Sequence, residues 1–135
     1  MGQQQLTDNQ LPKVIVVTSA SRGGMVMPGV DLCVKNDFMG AWSCVCNSHV
    51  CGVNLSALVI ERKQTKSVMD MLWLIRQCLV LAPNTPLILS YSAASSVDTA
   101  QLDQLGVDPI LIPDTKSSKE LVQAIKPFIH ASVVS

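Results

Sequence analysis

Four short apolar runs constrain the fold of this chain more than any other feature. They are Lys13–Val17, Ala57–Ile60, Pro86–Leu89 and Pro109–Ile112. A strand with one buried face alternates apolar and polar residues, so continuous runs of this length indicate strands buried on both faces of a parallel sheet. Parallel strands need long crossover connections, which are usually helices.

The connections after the second and third runs have helical patterns. Residues 67–81 carry apolar side chains at three-and-four spacing, and residues 97–105 predict a shorter helix. Gly106 follows where a left-handed cap is expected. After the fourth run, Ser117 and Glu120 have the spacing of a capping box and predict the start of a final helix. Alternating strands and helices predict an α/β domain.

The chain has the length of a single domain, at 135 residues. Residues 1–12 are polar and are expected to form a flexible arm. The domain is predicted to span residues 13–130, and residues 131–135 are predicted to be a tail. Pro127 is expected to kink or end the final helix, because proline cannot donate its backbone hydrogen bond.

The segment from residue 19 to residue 56 has no clear pattern. It holds five of the seven glycines and four of the five cysteines. Trp42–Cys46 is one plausible strand within it. The pairs Gly23-Gly24 and Pro28-Gly29 disfavour a helix interior, so we expect the first helix of the fold to be irregular or missing.

Composition excludes several classes of function. Ten basic and ten acidic residues give a formal net charge of zero, and no basic run predicts direct contact with nucleic acid. No apolar stretch approaches the roughly 20 residues that cross a bilayer, and the polar start is not a secretory signal. We expect a cytoplasmic protein, and the odd number of cysteines favours reduced thiols over a disulfide framework.

The second half of the chain resembles a known family. Residues 85–128 are similar to the last two strand–helix units of response-regulator receiver domains of the CheY type. The similar sequence segments are Pro86–Leu89, Leu105–Asp108, Ile110–Pro113 and Ser117–Leu121. The strand spacing is also similar over residues 13–130. This resemblance implies a three-layer, flavodoxin-like, doubly wound sheet of about five parallel strands in the order 2-1-3-4-5.

The resemblance also identifies the positions that carry phosphoryl transfer in receivers. Those proteins use acidic residues after strand 1 for a divalent cation, an acceptor Asp at the end of strand 3, a hydroxyl after strand 4 and a Lys after strand 5. In that order, this sequence has Thr18 and Ser19, Glu61 and Arg62, Tyr91 or Ser92, and Ile112. Of these groups, only the hydroxyl after strand 4, on Tyr91 or Ser92, is present in this sequence.

The resemblance therefore implies a pseudo-receiver that accepts no phosphate. Such a domain is expected to be neither an enzyme nor dependent on a cofactor. A Glu at the acceptor position, Glu61, can imitate the charge of a phosphorylated state.

By the same resemblance, the function is regulatory: protein–protein interaction or dimerisation in two-component signal transduction or transcription regulation. In receivers, the face formed by the last two helices and the fifth strand commonly carries dimerisation and contact with an output module. The residues expected there are Asp98, Asp103 and Lys119, with Tyr91 at the edge. The partner is expected to be another protein, an output domain or a second copy.

A small-ligand or nucleotide-sensing role is one alternative. A glycine-rich loop follows the first strand, and its glycines can let a phosphate approach the backbone. Its candidate ligand-binding residues are Ser19, Ser21, Arg22, Gly23 and Gly24. Ser19 and Met25 replace the first and last glycines of the dinucleotide motif, so a plain glycine-rich loop explains the segment equally well.

A metal or redox role for Cys44, Cys46, His49 and Cys51 is the other alternative. Cysteine and histidine are good zinc ligands, but this spacing matches no paired-cysteine knuckle. On a strand over Trp42–Cys46, Cys44 and Cys46 would share one face. Burial in the core explains free cysteines without a metal, so no metal site is assigned.

Overall fold

A computed structural model of the chain describes residues 11–18, 25–61, 68–90 and 96–134. The strands are β1 (Lys13–Val17), β2 (Asp31–Lys35), β3 (Leu55–Glu61), β4 (Leu87–Ser90) and β5 (Ile110–Ile112). The helices are α1 (Phe38–Val50), α2 (Val68–Leu81), α3 (Ser96–Gln104) and α4 (Ser118–Val134). All strand pairs are parallel, in the order β2-β1-β3-β4-β5. The predicted flavodoxin-like fold is confirmed.

The sheet is the middle of three layers. Side chains on one face, including Ile15, Ile60 and Leu89, pack against α1 and α2. Side chains on the other face, including Val16 and Val59, pack against α4. The central strands β1, β3 and β4 are buried on both faces, which is why their sequences do not alternate.

The predicted strand at Trp42–Cys46 is wrong, because these residues lie inside α1. Asp37 begins this helix by accepting a hydrogen bond from the Gly40 backbone N–H at 2.6 Å. The helix buries a stripe at four- and three-residue spacing. The stripe is Ala41, Val45 and Ser48. The second strand is instead Asp31–Lys35, whose edge position leaves it only partly buried and without a strong apolar signal.

The connection between β1 and β2 contains no helix in its described part, residues 25–30. Gly29 adopts a positive φ of 79°, which allows the chain to turn after Pro28. Met27 is buried against the α4 side of the sheet, with Val30 packed beside it. This extended segment covers part of the core that faces α4. Residues 19–24, which complete the connection where the first helix was expected to be irregular or missing, lie outside the described residues.

The final helix begins as predicted but does not end at Pro127. The Glu120 N–H donates to Ser117 Oγ at 3.2 Å, and Glu120 Oε1 accepts from the Lys116 N–H at 2.7 Å. The helix continues to Val134, so the expectation that Pro127 could end it is wrong. Ile129, beyond the proline, is 2 % exposed in the same core cluster as Ile125, and this packing holds the helix together across the missing hydrogen bond.

Gly106 has a positive φ of 76° after α3, as the sequence predicted. Its N–H donates to the Asp103 carbonyl at 2.9 Å. Residues 1–10 of the expected arm lie outside the described residues, so the domain boundary stays a prediction. Among the described helices, none has both the length and the apolar character needed to cross a membrane.

Two leucines on adjacent strands test the account of the core. Leu89 of β4 pairs with Leu111 of β5, but Leu89 is fully buried and Leu111 is 48 % exposed. Leu89→Ala is expected to lower the free energy of unfolding by about 2–5 kcal/mol, because it leaves a cavity. The matched variant Leu111→Ala is expected to lower it by less than about 1 kcal/mol. Urea unfolding measures both, and equal losses would contradict this core.

Candidate functional site

Four residues form a row across the carboxyl edge of the sheet. Glu61 pairs with Ser90, and Ser90 pairs with Ile112. Thr18 follows Val17, whose partner is Ile60, so Thr18 lies level with Glu61. Since side chains alternate between the two faces of a strand, all four point to the face covered by α4. We call Thr18, Glu61, Ser90 and Ile112 the edge row.

The edge row is closed to solvent. Its exposed fractions are 1 % for Thr18, 3 % for Glu61, 0 % for Ser90 and 6 % for Ile112. Ser90 Oγ donates to the Pro113 carbonyl at 3.3 Å, which joins β4 to the loop after β5. The Thr18 N–H donates to the Lys35 carbonyl at 2.9 Å and holds the end of β1 against β2. These bonds fix the backbone on both sides of Glu61.

The row has little capacity for phosphoryl chemistry. Mg²⁺ prefers about six oxygen ligands with carboxylates among them, and the row offers a single carboxylate, that of Glu61. A buried phosphoryl group also needs a cation nearby. Ile112 packs in the core beside Leu121 and Ile125, so the row places hydrocarbon at its β5 end.

The structure brings together three of the residues that the sequence assigned to a degenerate phosphoacceptor pocket: Thr18, Glu61 and Ile112. The other four lie outside the described residues. They are Ser19, Arg62, Tyr91 and Ser92. Sequence reasoning missed Ser90, which contributes the β4 hydroxyl of the described row. Its signal was present, because Ser90 is the first polar residue after the apolar run of β4.

The expected interaction face is formed by α3, β5 and α4. Asp103 and Lys119 are exposed there, and Leu111 projects 48 % exposed from β5. Asp98 lies in α3, but its side chain is outside the described part, as is Tyr91. The interaction role of these residues stays a prediction. The possible ligand loop, Ser19 to Gly24, also lies outside the described residues.

The cysteine–histidine cluster does not assemble. Cys44 and Cys46 are separated by about 200° around α1, so the expectation that they share a face is wrong. Cys51 caps the end of the helix and, like His49, is exposed. Within the described ranges, no group of three or more His, Cys, Asp or Glu side chains is arranged to hold a metal ion.

Cys44 instead pairs with Cys33 of β2 as a disulfide, which contradicts the expectation that all five thiols are reduced. Their Cα atoms are 7.5 Å apart.

Cys78 is a core residue rather than a reactive thiol. It is 2 % exposed in α2, and burial raises the pKa of its thiol to about 11. The thiolate, which is the reactive form, is therefore scarce at neutral pH.

Thiol labelling at pH 8 tests this assignment. We expect an aromatic disulfide reagent to modify exposed Cys51 quickly and to leave Cys78 unmodified until the chain is unfolded, because burial both shields that thiol and keeps it protonated. Cys51→Ser is expected to remove part of the fast reaction. Cys78→Ala, the control, is expected to leave the fast reaction unchanged. A fast phase that disappears in Cys78→Ala would show that this thiol is accessible.

Solved structures with a similar fold include two receiver proteins and a pilus assembly-related protein. A CheY-like response regulator receiver domain from Methanospirillum hungatei superposes with a TM-score of 0.65 at 14 % identity, covering 90 % of this chain and 96 % of the other. The chemotaxis protein CheY4 from Vibrio cholerae gives a TM-score of 0.63 at 11 % identity, with 87 % and 98 % covered.

A pilus assembly-related protein from Burkholderia pseudomallei gives a TM-score of 0.59 at 12 % identity, with 90 % and 92 % covered. At these identities the likeness establishes the fold and not the function. No family model matches the sequence, and no curated protein matches it.

Proposed function

We propose that this chain is a receiver-like regulatory domain that works without phosphorylation, by binding other proteins in the cytoplasm, and that it is not an enzyme. The observation that carries the proposal is the buried edge row, in which Glu61 and Ile112 stand where the resemblance expects an acceptor Asp and a Lys. A regulatory domain without these groups acts by binding other proteins through its surface.

Ile112 argues against a phosphorylated state. A phosphoryl group carries close to two negative charges at neutral pH, and enclosing it without a cation is costly. At 6 % exposure, Ile112 is part of the core and presents only methyl and methylene groups. Phosphorylation near this row would therefore lack the charge partner that stabilises it in receivers.

Glu61 supplies a permanent carboxylate at the same edge. It is 3 % exposed and lies between Thr18 on β1 and Ser90 on β4. A fixed side chain cannot be added and removed as a phosphoryl group is. We infer that Glu61 holds the domain in one conformational state, so that regulation depends on which partner is present.

The face of α3, β5 and α4 is proposed as the surface for that partner or for an output domain. Leu111 is an exposed apolar side chain on a short edge strand, and the exposed residues Asp103 of α3 and Lys119 of α4 carry charges of opposite sign. An apolar centre with a polar rim is the usual composition of a protein interface. The process served is signal transduction or transcription regulation.

Amide NMR with Mg²⁺ and beryllofluoride, a mimic of the phosphorylated acceptor, tests the proposal. We expect no shifts beyond those caused by the salt, because the edge row offers neither an acceptor Asp nor a lysine. A phosphorylatable receiver measured under the same conditions is the positive control. Saturable shifts clustered at Thr18, Glu61 and Ile112 would show that the domain binds the phosphoryl mimic, and the proposal would be wrong.

A further inference from the structure

A groove lies between α4 and residues 25–28, the segment that leads toward β2. Its volume is about 300 Å³. Residues 25–28 form one wall, and the first turns of α4 form the other. We call it the α4 groove and define it by the apolar side chains and the two charged side chains that line it, which are Met25, Val26, Met27, Val122, Lys119 and Lys126.

The apolar side chains of the groove are only partly covered. Met27 is 4 % exposed in the core cluster that faces α4, and Met25 and Val122 are half-buried against the same cluster. Val26, between the two methionines, is 68 % exposed. Methionine side chains are flexible and polarisable, so they adapt to the shape of an apolar partner. The groove can therefore enclose apolar side chains of another molecule.

The charges of the groove have a single sign. Lys119 and Lys126 are both exposed on α4. They lie two turns apart, about 10.5 Å along the helix and within about 20° of each other around it. Among the described residues, neither lysine forms a salt bridge and no acidic residue lines the groove. The groove therefore combines an apolar wall with two cations on one side of it.

The carboxylates nearest in sequence do not neutralise these cations. Glu120 lies about 100° from Lys119 around α4. Its Oε1 accepts instead from the Lys116 N–H at 2.7 Å. Asp31, at the start of β2, pairs with Lys13 at 3.2 Å. The positive end of the α4 dipole lies beside Lys119 and adds to the attraction for an anionic group.

We propose that the α4 groove binds an acidic amphipathic helix of another protein. The apolar side of that helix packs on Met25, Val26 and Val122, and two of its carboxylates pair with Lys119 and Lys126. A helix that lies beside α4 matches the spacing of the lysines with acidic residues seven positions apart, because both helices rise by the same amount per residue. Apolar residues three and four positions after the first acidic residue share its face.

Other occupants fit the groove less well. No helix in the described part of this chain has two acidic residues seven positions apart, so a second copy does not offer this pattern. Anionic lipid surfaces usually attract clusters of about four to eight basic residues, and the groove has two. A concave apolar wall between the two lysines and the solvent is the arrangement that receives a helix.

The inference names the chemistry of a partner for the proposed protein-binding role, and it rests on that role. Lys119 belongs both to the groove and to the face of α3, β5 and α4, so the groove extends this face toward residues 25–28. The two proposals can fail separately. The response to beryllofluoride tests independence from phosphate, whereas the variants below test the groove.

Amide NMR titration of the full chain with a synthetic peptide tests the groove. The probe is an alanine-rich helical peptide of about 20 residues with two glutamates seven positions apart and leucines three and four positions after the first. We expect saturable shifts at residues 25–28 and along α4, with a Kd of about 10–100 μM. A control peptide with lysines in place of the glutamates is expected to bind at least about tenfold more weakly.

Exchanging the charges tests the pairing. The double variant Lys119→Glu/Lys126→Glu is expected to bind the glutamate peptide at least about tenfold more weakly, and to bind the lysine peptide within about threefold of the original affinity. Both positions are exposed, so the fold is expected to survive, and far-UV circular dichroism checks this. A variant that keeps its affinity for the glutamate peptide, or does not gain affinity for the lysine peptide, overturns the proposal.

A matched pair of valines tests the apolar wall. Val26→Asp places a negative charge in the groove and is expected to weaken binding of the glutamate peptide at least about tenfold. Val80→Asp is the control, because Val80 is 73 % exposed on α2, on the other side of the sheet, and it is expected to leave the affinity unchanged. The proposal is also overturned by equal effects of these variants, by shifts confined to α1 and α2, or by no saturable shift up to about 1 mM peptide.

Discussion

Burial of β1, β3 and β4 on both faces is the constraint on which the rest of this structure depends. A strand enclosed in this way can use only apolar side chains along its length, and its neighbours must cover both sides. Helices α1 and α2 cover one face, and α4 with the segment around Met27 covers the other. Even Pro127 is accommodated, because the packing of Ile129 against the sheet stabilises the last turns of α4.

The ends of these strands determine what the carboxyl edge can do. Once the strands are in register, Thr18, Glu61, Ser90 and Ile112 are held in one row, and none of them is exposed enough to exchange a phosphoryl group freely. The same edge that binds ligands in many open α/β sheets is closed here by hydroxyls, one carboxylate and an aliphatic side chain. Among the four residues of the edge row, the polar groups are two hydroxyls and one carboxylate.

The outer surfaces on the two sides of the sheet differ in charge. The side of α4 has scattered charges of both signs, which suits a reversible partner. The side of α1 and α2 is nearly uncharged and exposes Met39, Met69 and Trp73.

The sequence by itself determined the parallel sheet, its strand order through the family resemblance, and where three of the four described helices begin, to within about two residues, because apolar runs and helical spacing are local signals. It also located Glu61 and Ile112 at the positions that define the edge row. Only the tertiary structure decided that Trp42–Cys46 is helical and that Asp31–Lys35 is the edge strand, because both segments are short and only partly buried. Pairing across the sheet likewise selected Ser90, which lies 29 residues from Glu61 along the chain and beside it in the register.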